Sequence, residues 1–158
     1  DLMSEMPEWD LPNPFYIEVV AGPEHIDSYE HVNNAVYLSW LEACAWAHSA
    51  ALGFGEARCI DMQRGMAVRN LNLEYLAACY EGDEILVGNW LIANDGKLRA
   101  TRRFQVINRT RSQVALRAEV LYVCMNLATG RPARMPEGFL AAYQPGKGVP
   151  SPDPQDAD

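Results

Sequence analysis

The chain has 158 residues, 49% of them apolar and 22% charged, with a net charge of −8. That is enough for one domain with a substantial core, and its acidity argues against nucleic acid or an anionic membrane as the main partner. Four cysteines stand far apart with no metal-ligand spacing, nothing reads as a secretory leader, and no apolar run approaches membrane length, so a cytoplasmic, reducing location and no metal are expected.

Residues 1–14 hold three prolines and one tryptophan, Trp9, and read as an extended arm pinned by that ring. Phe15–Ala21 is β-branched and aromatic, a strand stopped by Gly22-Pro23. A polar loop runs to Val32. Asn33 or Asn34 then offers a cap for a helix over Ala35–Leu52, apolar almost all round and therefore expected to be buried, with Gly53 at its end. Glu56–Gln63 reads as a short helix. From Met66 the period becomes two: strands are predicted over Met66–Leu76, Glu84–Ala93, Leu98–Ile107 and Gln113–Met125, joined by turns at Glu81-Gly82-Asp83, Asp95-Gly96 and Asn108–Ser112. Pro136–Tyr143 reads as a last short helix, and 144–158, with four prolines, as a disordered tail. The order predicts an α+β fold: a curved antiparallel sheet, its last four strands a meander, wrapped around one long helix. The single domain is expected over 15–143.

The richest chemistry lies in Asp27–Glu42. An acid in a loop just ahead of a helix N-terminus places a base beside backbone N–H donors, a pairing suited to reactions at a carbonyl. His48, on an apolar stripe, reads as a satisfied core histidine, and Glu42 as a buried, paired acid. Residues Lys97–Arg134 carry nine bases and only Glu119 as an acid. This is either a solvated basic face or a site for a small polyanion such as a phosphate-bearing cofactor.

The pattern Asp27-x-x-x-His31-Val32-Asn33-Asn34-x-x-Tyr37-x-x-Trp40-x-Glu42 resembles the loop–helix signature of hotdog-fold thioesterases of the 4-hydroxybenzoyl-CoA thioesterase-like type. Glu74-Tyr75-Leu76 before Glu81-Gly82-Asp83, and Gly130-Arg131-Pro132 before Met135-Pro136-Glu137, extend the likeness over roughly 15–143. The resemblance implies an acyl-CoA thioesterase with Asp27 as general base or nucleophile. It implies that the main-chain N–H of Asn34 polarises the thioester carbonyl, and it places His31 at the histidine position of the acyl-ACP branch. It also implies a homodimer or dimer of dimers with each active site between protomers, and coenzyme A as part of the substrate rather than a cofactor. Three positions depart from the pattern: His25, where relatives often carry a second aspartate; Glu30, where glycine is common; and Tyr29, where the acyl-ACP branch has asparagine.

Tyr29, Tyr37, Trp40 and Leu41 are the candidate acyl contacts, with Trp90 as further aromatic surface. Arg102, Arg103 and Arg109 are the candidate partners of the coenzyme A phosphates; strand alternation puts Arg99 and Arg103 on one face and Arg102 on the other. Rival readings are an acyl-ACP thioesterase, a hotdog hydratase or dehydratase (whose Asp-x-Asn-Pro-x-His is missing from the sequence), and a non-catalytic acyl-thioester-binding module.

Overall fold

In the computed structural model, which describes residues 6–146, the chain runs β1 (Phe15–Val20), α1 (Asn34–Ala51), α2 (Glu56–Met62), β2 (Arg64–Tyr75), β3 (Glu84–Asn94), β4 (Arg99–Asn108), β5 (Gln113–Asn126), β6 (Arg131–Pro132) and α3 (Glu137–Ala142). A 3-10 turn at Pro23–His25 precedes the loop to α1. The two-residue β6 is an addition to the elements expected; residues 1–5 of the arm and 147–158 of the tail lie outside the described residues.

All strand pairs are antiparallel and the order is β1-β3-β4-β5-β2, with β6 also on β5. The expected four-strand meander is therefore corrected: only β3-β4-β5 meander. β1 takes the outer edge of β3, from Phe15↔Asn89 to Val20↔Glu84, and leaves β2 to pair with β5. Residues 76–83 form no tight hairpin. They leave β2 by donating Leu76 and Ala77 N–H to Ala115 O, pass the start of α1 through Val32 N–H to Cys79 O, and turn at Gly82 with φ 86°. Register irregularities at Val68/Asn70, Leu91/Ala93 and Val106/Ile107 bend the sheet, as bulges do.

Helix α1 lies on the inner face of this bent sheet. Tyr37, Trp40, Leu41 and Cys44 pack against Ile85, Val87, Phe104, Val106, Leu116 and Val120, all buried. Each such apolar side chain contributes on the order of 1.5–3 kcal/mol by leaving water. The helix is not buried all round as its composition suggested: Glu42, Ala43, Trp46 and Ala50 are exposed, because the edge strand β2 leaves one flank uncovered. Among the described residues, no helix is long and apolar enough to cross a membrane.

The arm crosses the outer sheet face. Trp9 lies edge-on to Trp90 and over Gly88, where a Cβ would sit 2.5 Å from the ring, so only glycine permits the approach. Asp10 N–H donates to Gln105 Oε1, and Arg117 grips the Asp10 carboxylate with two bonds of 2.7 and 2.9 Å.

Candidate active site

The loop ahead of α1 is closed by short-range bonds. Ile26 and Val32 form an isolated antiparallel bridge, Asp27 N–H donates to His31 O, and Glu30 N–H donates to Asp27 O. Within this loop the Asp27 carboxylate accepts the Tyr29 N–H through Oδ1 at 2.9 Å, an Asx turn that fixes its direction. The described hydrogen bonds engage Oδ1 and leave Oδ2 open to a further proton donor.

The first turn of a helix presents four N–H groups without intrahelical acceptors. Three are claimed by the loop itself: Asn33 N–H donates to His25 O, Ala35 N–H to Asn33 Oδ1, and Val36 N–H to Asn33 O. The Asn34 N–H is the first-turn donor that no described hydrogen bond occupies, and Asn34 is exposed. The next peptide along, Asn34–Ala35, is steadied by the Tyr75 hydroxyl, which donates to Asn34 O at 2.9 Å. The Asp27 carboxylate and the open Asn34 donor thus belong to one short, braced segment at the positive end of α1.

Residues 76–83 back the loop. The Tyr37 hydroxyl accepts the Cys79 N–H, and the His31 ring meets Tyr80 edge-on at 5.1 Å. Arg111 lies 4.0 Å over the Tyr80 ring and donates to Asp83 Oδ2 at 2.8 Å. Burial would raise the Asp83 carboxyl, but donors from Arg111, Asn108 and the Tyr80 main chain outweigh it and hold it below the usual carboxylate range. The His31 ring therefore touches Tyr80, and no described hydrogen bond joins that ring to the Asp27 carboxylate. His25, the position of the second aspartate in relatives, locks its own turn: Nδ1 accepts the Gly22 N–H.

The other sequence candidates separate. Tyr29 projects into solvent at 81% exposure, while Tyr37 and Trp40 are core, and Trp90 lies under the arm with its indole N–H on Pro12 O. Arg103 pairs with Glu119 and Arg109 with Glu18 on the surface. Arg102 corrects the phosphate expectation: it is 3% exposed and turned inward, where no phosphate at the surface can meet it. The arginine joined to the Asp27 loop is Arg111, through Tyr80 and His31; its only sequence signal was its place in a turn. Glu42 is exposed and unpaired among the described ion pairs, rather than buried and paired.

A cavity of about 300 Å³ lies between α1 and the inner sheet face. It starts at Leu38, one turn beyond Asn34, and runs past Leu41 to Ser49. Glu42, Trp46, Val68 and Leu71 form its exposed rim; Arg102, Phe104, Val120, Tyr122 and Tyr143 form its floor. A polar network underlies that floor. Arg102 Nε donates to Asn89 Oδ1 at 3.2 Å and its terminal nitrogen to Ser49 Oγ at 3.0 Å, where the Tyr143 hydroxyl also donates. His48 Nδ1 meets the same Asn89 oxygen at 2.8 Å, and Asn89 Nδ2 donates to Cys44 Sγ. Burial, together with the nearby Arg102 charge, lowers the His48 imidazole to about 4, and burial pushes the Cys44 thiol up to about 12. Both are neutral, so His48 is the satisfied core histidine expected. Among the described residues, no cluster of histidine, cysteine or carboxylate side chains could hold a metal ion.

This arrangement, a long helix inside a curled antiparallel sheet, is that of the hotdog-fold thioesterases. Residues 21–143 match the thioesterase-like superfamily, and the chain belongs to that family. It is 31% identical over 109 residues to the long-chain acyl-CoA thioesterase FadM of Escherichia coli strain K12, covering 66% of this chain and 78% of that protein. The fold is shared with a 1,4-dihydroxy-2-naphthoyl-CoA thioesterase from Synechocystis (TM-score 0.74, 16% identity, 82% of this chain and 95% of that one). It is shared too with a Staphylococcus aureus protein solved in complex with CoA (TM-score 0.76, 18% identity, 89% and 92%).

Proposed function

We propose that the chain is an acyl-CoA thioesterase, releasing free acid and coenzyme A. The observation that carries this reading is the pairing of the braced Asp27 carboxylate with the one first-turn amide, Asn34 N–H, left open by the cap. Asp27 Oδ2 takes a proton from water as the water oxygen adds to the thioester carbon. The carbonyl oxygen becomes an oxyanion held by Asn34 N–H at the positive helix end. Collapse breaks the C–S bond, and the thiolate leaves with the proton that Asp27 had taken. Asp27 can instead attack directly to form an acyl anhydride that water then opens. One such oxyanion donor contributes roughly 2.7–4 kcal/mol in the transition state. Water, Asp27 and a main-chain donor suffice, so neither a metal nor a cofactor beyond the substrate's own coenzyme A enters. The likeness to FadM and the cavity beginning one turn from Asn34 support an acyl thioester as substrate. The four cysteines, free and buried, suit a reducing cytoplasm.

The working unit of this reading is a homodimer or a dimer of dimers. Support comes from β2, an edge strand whose Val68, Leu71 and Tyr75 are exposed beside the exposed Trp46 of α1. An apolar edge of this kind invites pairing with a second copy. Arg103 and Arg109 keep the basic surface on which coenzyme A phosphates can settle, with Arg111 joined to the loop through Tyr80 and His31.

Thiol release measured over short, long, aryl and polar acyl groups, on coenzyme A and on acyl carrier protein, tests the reading. Asp27→Asn should lower kcat by about 10²–10⁴-fold, the range for a general base, with the melting temperature unchanged. Near-normal turnover in that variant would sink the Asp27 mechanism, and tight acyl-CoA binding without thiol release in the wild type would favour a binding module.

A further inference from the structure

Arg102 is a buried cation whose neighbours are all neutral. Its guanidinium donates to the side-chain oxygens of Asn89 and Ser49 and lies 5.3 and 5.5 Å from the ring centres of Tyr122 and Tyr143. Among the described residues no carboxylate is within ion-pairing distance. A guanidinium cannot shed its proton to escape this. Taking such an ion out of water costs several kcal/mol unless an opposite charge offsets it. An arginine meant only to brace the core could be replaced by a well-packed apolar side chain at no loss, and the cation–π contacts recover only part of the cost.

The position of the charge gives it meaning. Arg102 forms part of the floor of the cavity between α1 and the sheet, at the end that includes Ser49. From Leu38 to Ser49 the helix advances roughly 16 Å at 1.5 Å per residue, past the apolar side chains of Leu41, Phe104 and Val120. The void is thus apolar along its length and cationic at its end. The Tyr122 and Tyr143 rings flank that end; burial raises both phenols above the usual range, so they stay protonated, and the Tyr143 hydroxyl gives its proton to Ser49 Oγ. Glu42, the one carboxylate lining the cavity, is exposed at the rim and does not neutralise Arg102.

We propose that the acyl group for which this site is built carries a carboxylate at the end remote from the thioester, and that Arg102 binds it. The inference rests on the thioesterase reading and specifies its substrate class. A carboxylate matches the planar donor fork of a guanidinium in a two-bond geometry that a methyl end cannot supply. A methyl-terminated chain of equal length would strip water from the guanidinium and leave the charge unpaired, so the penalty falls on the wrong substrate.

The test compares methyl-terminated and ω-carboxy acyl-CoAs, matched in carbon number over medium and long chains. Thiol release from the wild type should show kcat/KM at least about 10-fold higher for the ω-carboxy substrate at the preferred length. Arg102→Gln should bring that ratio to near one or invert it, while Arg102→Lys, which keeps the charge, should retain a preference of the same sign. Equal or lower kcat/KM for ω-carboxy substrates at every length in the wild type overturns the proposal, and so does a preference that survives in Arg102→Gln. Should that variant fail to fold, the wild-type ratio decides. If no acyl-CoA is hydrolysed, the thioesterase reading fails on its own. Calorimetric titration with free dicarboxylic and monocarboxylic acids then still tests Arg102: tighter dicarboxylate binding that is lost in Arg102→Gln supports the assignment, and equal binding overturns it.

Discussion

At residue scale, Glu30 explains a departure that the sequence only registered. It sits at φ 65°, in the left-handed region, because the loop must turn sharply between Asp27 and His31 to close the bridge of Ile26 with Val32. Left-handed backbone costs a residue with a Cβ roughly 1–2 kcal/mol, and relatives commonly carry glycine there. Replacing Glu30 with Gly should raise stability by about 0.5–1 kcal/mol after the entropy lost on ordering glycine is subtracted. In a thermal melt this appears as a rise of roughly 1–4 °C; a lower midpoint would mean that the exposed Glu30 side chain makes a contact worth more than the strain. Asp27 and the Asn34 amide were legible because both lie in one continuous motif. Arg102 was not: alternation put it opposite Arg99 and Arg103, but no local rule says which face of a strand meets the core.

At the scale of elements, α1 and β1 to β5 were legible to within a residue or two, since caps and periodicity are local, while the two-residue β6 was not. Their pairing was not. The turn signals around 76–83 suggested a hairpin between β2 and β3, whereas β2 lies at the opposite edge against β5. Sheet order is settled by competition for edges among residues distant in sequence, and β1 wins the edge of β3. That outcome leaves Leu71, 38% exposed, on an open edge beside Val68. A charge placed there should block edge pairing. Leu71→Lys is expected to shift the chain to monomer in sedimentation analysis and to cut thiol release at least about 10-fold, because each site needs two copies in the proposed assembly. An unchanged dimer in that variant would move the interface elsewhere.

At the scale of the whole molecule, the polar network beneath the cavity couples stability to pH. His48 titrates near 4 when folded against 6.5 ordinarily. Between those values the unfolded chain binds a proton that the folded chain refuses, so stability falls as pH drops from about 6.5 to about 4, by on the order of 3 kcal/mol in total. Asp83 acts in the same direction further down: its folded carboxyl is held low, so its contribution is present above the usual carboxylate range and is lost as pH falls through it. Melting midpoints between pH 7 and 4 should therefore decline steeply in the wild type and less steeply in His48→Gln. Parallel curves would show that His48 is not the group responsible.

The sequence by itself determined the elements, the cap of α1, the acid at its mouth and the family likeness, because each is written in neighbouring residues and in the short-range geometry they dictate. Only the tertiary structure decided the sheet order, the exposed flank of α1 and the inward turn of Arg102. Those follow from packing between residues far apart in the chain. The same packing separates the chemistry at Asp27 from the charge that awaits the far end of the acyl group.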